Sequence, residues 1–278
     1  MSALPDLQTL LREARLPASS HLAKVVQAEA QRVAGLQPSP ATLRAVRGLF
    51  GGALRRDRAA KGGAVIAEYK QGSPSLGPFA LGTPLAEQLA AYRDGGAACA
   101  SVLAEPAYFL GSAADVAAAG TAGLPRLYKG FVMSAAHLDE AAASGAEAVL
   151  LIARVLKGHT AAFAEAARAR GLEPLVELHD LTEVPFAQEA AADLVGINAR
   201  DLATFTLGAP DAGPLRAAFP GAVLIRESGL ATPEDAAAAF RAGFDAVLIG
   251  EALMRSADPA AFLRRIFAAV HPVPQETA

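Results

Sequence analysis

The sequence predicts an α/β protein, a (β/α)8 TIM barrel with an N-terminal helical extension, and three observations lead to that prediction. Eight short runs rich in Val, Ile and Leu follow one another along the chain, as expected for strands buried on both faces of a parallel sheet. Alanine-rich segments long enough for helices separate them, which is the alternation of repeated strand–helix units. Nearly every run ends in a residue able to do chemistry, and a closed barrel places its active site at those strand ends. The runs are residues 65–70, 101–105, 126–129, 149–153, 175–179, 194–198, 223–228 and 247–251.

The length of the chain suits one such barrel, since a barrel takes about 250 residues and the chain has 278. Residues 61–270 hold the eight runs and form the predicted barrel. Residues 1–60 lack the strand pattern and show apolar spacings near three and four, so we expect a helical extension packed over one end of the barrel. Ser19 or Ser20 is the expected N-cap of one of its helices. Residues 271–278 are expected to be a flexible tail.

Composition argues against several classes of function. The net charge of −3 offers no basic surface for nucleic acid, so no nucleic-acid partner is expected. No apolar stretch approaches the ~20 residues that span a bilayer, and the N-terminus lacks a signal pattern, so we expect a cytoplasmic protein without a membrane partner. The single cysteine, Cys99, excludes an intrachain disulfide and begins an apolar run, which favours a buried structural thiol.

The first predicted strand carries Glu68 and Lys70, two residues apart and therefore on one face of the strand. Ionisable groups that point into a barrel interior must be paired or contact a ligand, because an isolated buried charge is very costly. Mutual pairing alone would satisfy both groups. The loop that follows, residues 71–78, is rich in Gly, Pro and Ser, and a long loop at the catalytic face is often functional.

The third predicted strand ends at Lys129. Only five of the 25 basic residues are lysines, yet Lys70 and Lys129 both stand at strand ends. Arginine stays protonated in proteins, whereas a lysine can exchange a proton when its surroundings shift its pKa. Proton transfer is therefore the functional interpretation, and two lysines that snorkel at strand edges are the structural alternative.

The fifth predicted strand repeats the two-residue spacing with Glu177 and His179. Glu177 lies between Val176 and Leu178, which point towards the helices, and a glutamate beside apolar packing is a candidate general base. A plain counter-ion for Lys70 or Lys129 is the alternative, and it is compatible with catalysis.

The sixth predicted strand ends at Asn198, which is suited to hydrogen-bond a substrate hydroxyl. Arg200 and Asp201 follow in the loop. For these two charged residues we favour a structural ion pair that shapes the loop.

The last two predicted strands end in glycine-containing loops, Glu227-Ser228-Gly229 and Gly250-Glu251. Barrel enzymes frequently hold a phosphate at these two positions, where glycine lets backbone N–H groups approach the anion. The five histidines are scattered without metal-ligand spacing, and no glycine-rich dinucleotide motif is present. We therefore expect a reaction on a small phosphorylated substrate with neither a metal nor another cofactor.

Several separated motifs, taken in order, resemble one family, indole-3-glycerol phosphate synthase of tryptophan biosynthesis, over most of residues 20–265. The resemblance implies an enzyme, a carboxy-lyase, that closes the indole ring of 1-(2-carboxyphenylamino)-1-deoxyribulose 5-phosphate with loss of carbon dioxide and water. It also implies that the N-terminal helices cover the catalytic face. The motifs are IAEYK (66–70), SPS (73–75), SVLAEP (101–106), YF (108–109), GS (111–112), LEPLVE (172–177), GIN (196–198), RDL (200–202), ESG (227–229) and IGEALMR (249–255).

The resemblance also implies catalytic roles. Lys129 matches the general acid that protonates the ribulose carbonyl oxygen as the ring carbon attacks. Lys70 matches a second lysine that contacts the substrate carboxylate and shares the acid role in dehydration. Glu177 matches the general base of the later step, with Glu68 and Asn198 in support.

Binding roles follow from the same match. Phe109 is expected to line the anthranilate pocket, and two backbone loops to hold the phosphate. The implied substrate-binding residues are Ser73, Phe109, Glu227 and Ser228, and the implied phosphate-binding residues are Gly229, Gly250 and Glu251.

One segment departs from the family pattern. After the general-acid lysine the family has Asp-Phe and then an acid, a proline and an aromatic residue. Here Gly130 replaces the aspartate, and Ser134-Ala135-Ala136 replaces the later step. Glycine adds backbone freedom, so we expect Lys129 to be less well fixed. Two alternatives stay open on this ground, namely a non-catalytic paralogue that binds a phosphorylated metabolite and another phosphosugar isomerase or lyase on the same fold.

Overall fold

Eight parallel strands close into a barrel in the computed structural model, which describes residues 4–36, 48–74, 77–79, 83–198 and 211–270. Each strand pairs with the next along the chain, and the last pairs with the first, with Ala64 opposite Ala246. The predicted (β/α)8 barrel is therefore confirmed. The strands are β1 (Ala64–Tyr69), β2 (Cys99–Leu103), β3 (Arg126–Lys129), β4 (Ala148–Ile152), β5 (Glu173–Leu178), β6 (Leu194–Asn198), β7 (Val223–Glu227) and β8 (Ala246–Ile249).

Helices fill the connections between the strands and cover their outer face. Polar side chains cap the first turn of several of these helices. Thr232 forms a capping box with Asp235, and Ser134 accepts a hydrogen bond from the His137 amide. The helices are α1 (Leu7–Ala14), α2 (His21–Ala34), α3 (Leu49–Lys61), α4 (Leu85–Asp94), α5 (Ala113–Ala118), α6 (Ala135–Ala143), α7 (Ala153–Leu156), α8 (Thr160–Ala169), α9 (Val184–Glu189), α10 (Ala212–Ala218), α11 (Pro233–Arg241), α12 (Glu251–Arg255) and α13 (Pro259–Val270).

The hydrophobic core lies between the strands and the surrounding helices. Every residue of β1, β2 and β4 is buried, which explains the continuous apolar runs in the sequence. Phe163 of α8 and Leu138 of α6 are fully buried against the sheet cluster, and burying a side chain of this size contributes about 1.5–3 kcal/mol. The core therefore fixes the strands, and the strands fix the positions of the residues at their ends.

The N-terminal helices divide between the two ends of the barrel. Helices α1 and α2 lie at the carboxyl end, where Glu13 contacts His159 at 2.9 Å and Leu22 and Val25 reach the strand ends. Ser20 caps α2, one of the two predicted possibilities. The sequence-based expectation that the whole extension covers one end is therefore wrong for α3.

Helix α3 closes the opposite end of the barrel. Its first amides, at Phe50 and Gly51, donate to the Glu173 carboxylate at 2.8 and 2.9 Å, and Glu173 begins β5. Only Gly62 and Gly63 separate α3 from β1, so the chain must approach β1 from its amino end. A Cβ at Gly63 would lie 2.5 Å from the Phe240 ring, which explains the glycine there.

Two further segments are the loop after β1 and the C-terminal tail. In the loop after β1, Gly72–Ser73 pairs antiparallel with Gly77–Pro78 to form a two-residue ribbon. The expected tail, 271–278, lies outside the described residues. Among the described helices, none is long and apolar enough to cross a membrane.

Candidate active site

The carboxyl ends of the strands open into a cavity of about 620 Å³, a volume suited to a small-molecule ligand. Residues from several different strand ends meet at its wall, although they are far apart in the sequence. All twelve residues singled out from the sequence line this cavity: Glu68, Lys70, Ser73, Phe109, Lys129, Glu177, Asn198, Glu227, Ser228, Gly229, Gly250 and Glu251.

Two lysines and three glutamates form the charged floor of the cavity. Lys129 Nζ lies 2.5 Å from a Glu227 carboxylate oxygen and 3.5 Å from a Glu177 oxygen. Lys70 Nζ lies 3.5 Å from Glu68. The alternating direction of side chains along a strand turns each of these residues inward, so the barrel register brings together charges from four strands. Three carboxylates thus face two ammonium groups.

The charged floor shifts the pKa values of its members. Burial disfavours the ammonium form of Lys129, yet the carboxylates of Glu227, Glu177 and Glu68 outweigh it and raise its pKa above the ordinary value. Burial also opposes ionisation of Glu177, but Lys129 and His179 lower its pKa. For Glu227 burial dominates and, with the neighbouring Glu177, raises the pKa to about 8 against the pull of Lys129. Near neutral pH the floor therefore holds a protonated Lys129, an ionised Glu177 and one proton on Glu227.

Two glycines leave room for these carboxylates. A Cβ at Gly196 would lie 2.2 Å from Glu227 Oε1, and a Cβ at Gly250 would lie 2.5 Å from Glu68 Oε1. The sequence singled out Gly250 for its backbone and did not single out Gly196, because the contact with Glu227 depends on strand register. Any side chain at either position would push a glutamate out of the floor.

Aromatic and aliphatic side chains also line the cavity. The rings of Phe109 and Phe131 lie 6.1 Å apart between centroids, and Leu22 and Val25 of α2 line the same cavity. We call these four residues the apolar wall. Only Phe109 was singled out from the sequence. The position of Phe131, two residues after Lys129, was an available signal, whereas the contribution of α2 depends on tertiary packing.

A buried carboxylate fixes the loop that carries Phe109. Glu105 is fully buried and accepts hydrogen bonds from the amides of Ala107, Tyr108 and Phe109 at 2.8–2.9 Å. Charge-assisted hydrogen bonds of this kind are strong. Glu105 therefore holds the loop in the conformation that places the phenyl ring at the cavity.

Two glycine loops form another part of the cavity wall. Ser228 and Gly229 both have positive φ, 62° and 69°, so the chain turns sharply directly after β7. Gly250 precedes α12, whose Arg255 also lines the cavity and pairs with Glu251 at 3.2 Å. Both loops line the cavity, and Arg255 of α12 is a cation of the cavity wall that sequence reasoning missed.

Asn198 and His179 both interact with the Glu177 carboxylate. A hydrogen bond from Asn198 contributes to the lowered pKa of Glu177, and His179 Nε2 lies 3.4 Å from Glu177 Oε1 in a buried position. The predicted pairing of Arg200 and Asp201 lies outside the described residues.

The expectation that Gly130 leaves Lys129 less well fixed concerns mobility and stays a prediction. The Lys129 ammonium is held by Glu227 and Glu177, as described above, and these contacts do not involve residue 130. A Cβ at Gly130 would lie 2.6 Å from Tyr128 Cε1, so the glycine makes space for the Tyr128 ring. Within the described ranges, no group of three or more His, Cys, Asp or Glu residues is placed to hold a metal ion.

Comparisons with known proteins point to one enzyme family. The sequence model of the indole-3-glycerol phosphate synthase family matches residues 18–266. Indole-3-glycerol phosphate synthase 2 of Streptomyces coelicolor is 45% identical over 76% of this chain and 81% of that protein. The synthase of Laribacter hongkongensis is 40% identical, covering 86% of this chain and 92% of its own length. The synthase of Mycobacterium ulcerans is 36% identical, covering 98% and 97%.

A solved structure supports the architecture alone. Thiamine phosphate pyrophosphorylase from Pyrococcus furiosus superposes with a TM-score of 0.55, covering 75% of this chain and 95% of that one. At 14% sequence identity this likeness concerns the fold and carries no statement about the reaction.

Proposed function

The chain belongs to the indole-3-glycerol phosphate synthase family, and from that premise we propose that it catalyses the family's ring closure. The substrate is 1-(2-carboxyphenylamino)-1-deoxyribulose 5-phosphate, and the products are indole-3-glycerol phosphate, carbon dioxide and water. The observation that carries the proposal is the Lys129 ammonium, placed between Glu227 and Glu177 at 2.5 and 3.5 Å in a cavity with an apolar wall and two glycine loops.

The proposed binding mode follows from the chemistry of the cavity walls. The apolar wall suits the aromatic ring of the substrate, with Phe109 as its central contact. The backbones of Gly229, Gly250 and Glu251 suit the phosphate, and Ser73 and Ser228 suit the polar groups between these ends. We assign the substrate carboxylate to Lys70, which lines the cavity beside Glu68. Such a pose stretches the ribulose chain across the charged floor.

In the proposed chemistry the side chains act only as proton donors and acceptors. As the ring carbon attacks the ribulose carbonyl carbon, Lys129 donates a proton to the carbonyl oxygen. The bond to the carboxylate then breaks, carbon dioxide leaves, and its electron pair restores the aromatic ring. In the dehydration that follows, the hydroxyl takes a proton from a lysine and leaves as water. Glu177 removes a proton from the carbon next to the one that carried the hydroxyl. The raised pKa of Lys129 keeps it protonated and the lowered pKa of Glu177 keeps it ionised, as these roles require.

The test is a direct assay of indole formation by fluorescence. We expect Lys129→Ala and Glu177→Gln to lower kcat by at least about 100-fold, the usual contribution of general acid–base catalysis, while a phosphate-bearing substrate analogue still binds. Lys24→Ala, which removes an exposed lysine on α2, is the matched control. Substrate binding without any indole from the wild-type protein would contradict the proposal and favour a non-catalytic paralogue. Turnover of other phosphosugars alone would favour the isomerase or lyase alternative.

A cytoplasmic location is part of the same proposal, because the substrate is a phosphorylated intermediate of amino-acid biosynthesis. Fractionation of cells that make the chain would test it.

A further inference from the structure

We propose that Glu29 of α2 and His137 of α6 are a positioning pair that holds α2 of the N-terminal extension against the segment after Lys129. The pair thereby sets the distance between the two parts of the apolar wall, the α2 residues and the two phenylalanines. The inference rests on the proposed function only where substrate affinity is measured. Its structural part concerns the placement of α2 and is tested separately.

The pair is a fully buried contact between the extension and the barrel. His137 and Glu29 side chains are 0% and 1% exposed, and His137 Nε2 lies 3.0 Å from Glu29 Oε1. The Met133 amide donates to His137 Nδ1 at 3.3 Å. A backbone N–H can only donate, so Nδ1 is the acceptor and Nε2 carries the hydrogen that Glu29 receives. The imidazole thus joins the backbone of the segment after Lys129 to the carboxylate on α2.

A second path runs from the same carboxylate to the strand that carries Lys129. Arg32 contacts Glu29 at 2.6 Å and Glu140 at 2.8 Å. The Tyr128 hydroxyl donates to Glu140 Oε2 at 2.7 Å, and Tyr128 directly precedes Lys129 in β3. Buried polar groups without partners are costly, so this chain of contacts admits few other arrangements of α2.

Each of the two segments that the pair joins carries residues of the apolar wall. Leu22 and Val25 lie in the first two turns of α2, on the extension side of the pair. Phe131 lies between Lys129 and Met133, on the barrel side, with its ring facing Phe109. The glycine loops follow other strands, β7 and β8, and among the described residues no hydrogen bond or ion pair joins them to Glu29 or His137. Loss of the pair should therefore widen the apolar wall and leave the phosphate end unchanged.

The first measurement is affinity for the alcohol obtained by reducing the substrate ketone, which binds without turnover. His137→Ala leaves the buried Glu29 carboxylate without its imidazole partner, so we expect it to weaken binding of this alcohol about tenfold and to raise KM more than it lowers kcat. Binding of inorganic phosphate should not change. His137→Gln keeps an N–H that can reach Glu29 and should restore most of the affinity.

The matched control is Asp139→Asn. Asp139 lies on α6 like His137, but its 2.6 Å ion pair joins Arg170 at the end of α8 and does not involve α2. This variant should leave KM unchanged. The second measurement is hydrogen exchange of the α2 amides, which should speed up in His137→Ala and Glu29→Gln but not in the control.

The outcomes separate the two proposals. Wild-type protein that fails to bind the alcohol would contradict the proposed function, and hydrogen exchange would still decide the placement of α2. Unchanged α2 exchange in a folded His137→Ala protein, or unchanged affinity where the wild type binds, would overturn the positioning pair. An equal loss of alcohol and phosphate binding would also overturn it, because that result indicates general disruption.

Discussion

Glu177 and Glu227 differ in protonation although the same lysine contacts both. Lys129 is one cation between two buried carboxylates, and both cannot be ionised at low cost. Glu177 has the additional support of Asn198 and His179. Glu227 has no such support, and its Oε1 is buried without a hydrogen-bond partner among the described residues. The proton therefore stays on Glu227, and Glu177 remains available as a base.

This asymmetry predicts a pH dependence that one residue controls. Glu227 loses its proton at about pH 8, so kcat/KM should fall as the pH rises through that value. The new negative charge competes with Glu177 for Lys129 and repels the anionic substrate. Glu227→Gln should remove the inflection. The measurement is the pH profile of kcat/KM on both sides of about pH 8, with Glu87→Gln at an exposed position of α4 as the control. An inflection that persists in Glu227→Gln would assign the titration to another group.

The sequence was informative about which residues face the cavity and uninformative about how they pair. Strand-end position and two-residue spacing are local properties, so Glu68, Lys70, Lys129 and Glu177 could be selected without a structure. Their distances depend on the shear of the barrel, which no single segment specifies. For this reason the short contact between Lys129 and Glu227 could not be predicted, and neither could the need for glycine at position 196.

At the scale of elements, the loop after β2 depends on Glu105. We expect Glu105→Gln to destabilise the fold by about 2 kcal/mol, because an amide oxygen replaces a carboxylate that accepts three amide hydrogens. It should also raise KM, since Phe109 loses its support. Urea unfolding and steady-state kinetics measure the two effects. Glu147→Gln, at the start of β4, removes a carboxylate that accepts from the Arg126 amide at the other end of the barrel, and it should affect stability alone.

The stability that the contacts of helix α2 provide should depend on pH through two carboxylates, Glu29 of α2 and Glu140 of α6. Burial opposes ionisation of Glu29 and Glu140, but Arg32 together with His137 or Tyr128 lowers both pKa values below the ordinary 4.5. A lowered folded-state pKa stabilises the protein above the ordinary value, and this stabilisation is lost as the pH falls through the folded value. Glu29→Gln should thus be less stable than wild type near neutral pH, and the difference should shrink below pH 4.5. Urea midpoints at both pH values test this, and a constant difference would contradict it.

The elements themselves were largely predictable, and their placement was less so. Apolar runs and alanine-rich segments identified the strands and the barrel helices because both patterns follow from burial on the two sides of a sheet. The position of α3 was not predicted, although the short Gly62–Gly63 link before β1 contained the necessary constraint. The link restricts α3 to the amino end of the barrel only once the helix is known to continue as far as Lys61.

At the scale of the whole molecule, the two ends of the barrel have separate tasks. The carboxyl end carries the charged floor, the apolar wall and the glycine loops, while the amino end carries contacts that hold α3. Asp245 is one example, since it accepts from the Leu224 amide and pairs with Arg58 and Arg216 at 2.8 and 2.6 Å. Barrel enzymes generally show this division between a catalytic face and a stabilising face.

The division predicts that variants at the amino end change stability without changing catalysis. Glu173 accepts from the first amides of α3 and places a negative charge at the helix N-terminus. Glu173→Gln should therefore lower the free energy of unfolding by about 1–2 kcal/mol, with kcat and KM unchanged at temperatures where both proteins are folded. Urea unfolding and the indole assay on the same preparations measure the two quantities. Because β5 also carries Glu177 at its other end, Glu173→Gln is the most stringent test of the separation between stability and catalysis. A parallel fall in kcat/KM would show that the two ends of the barrel are coupled through β5.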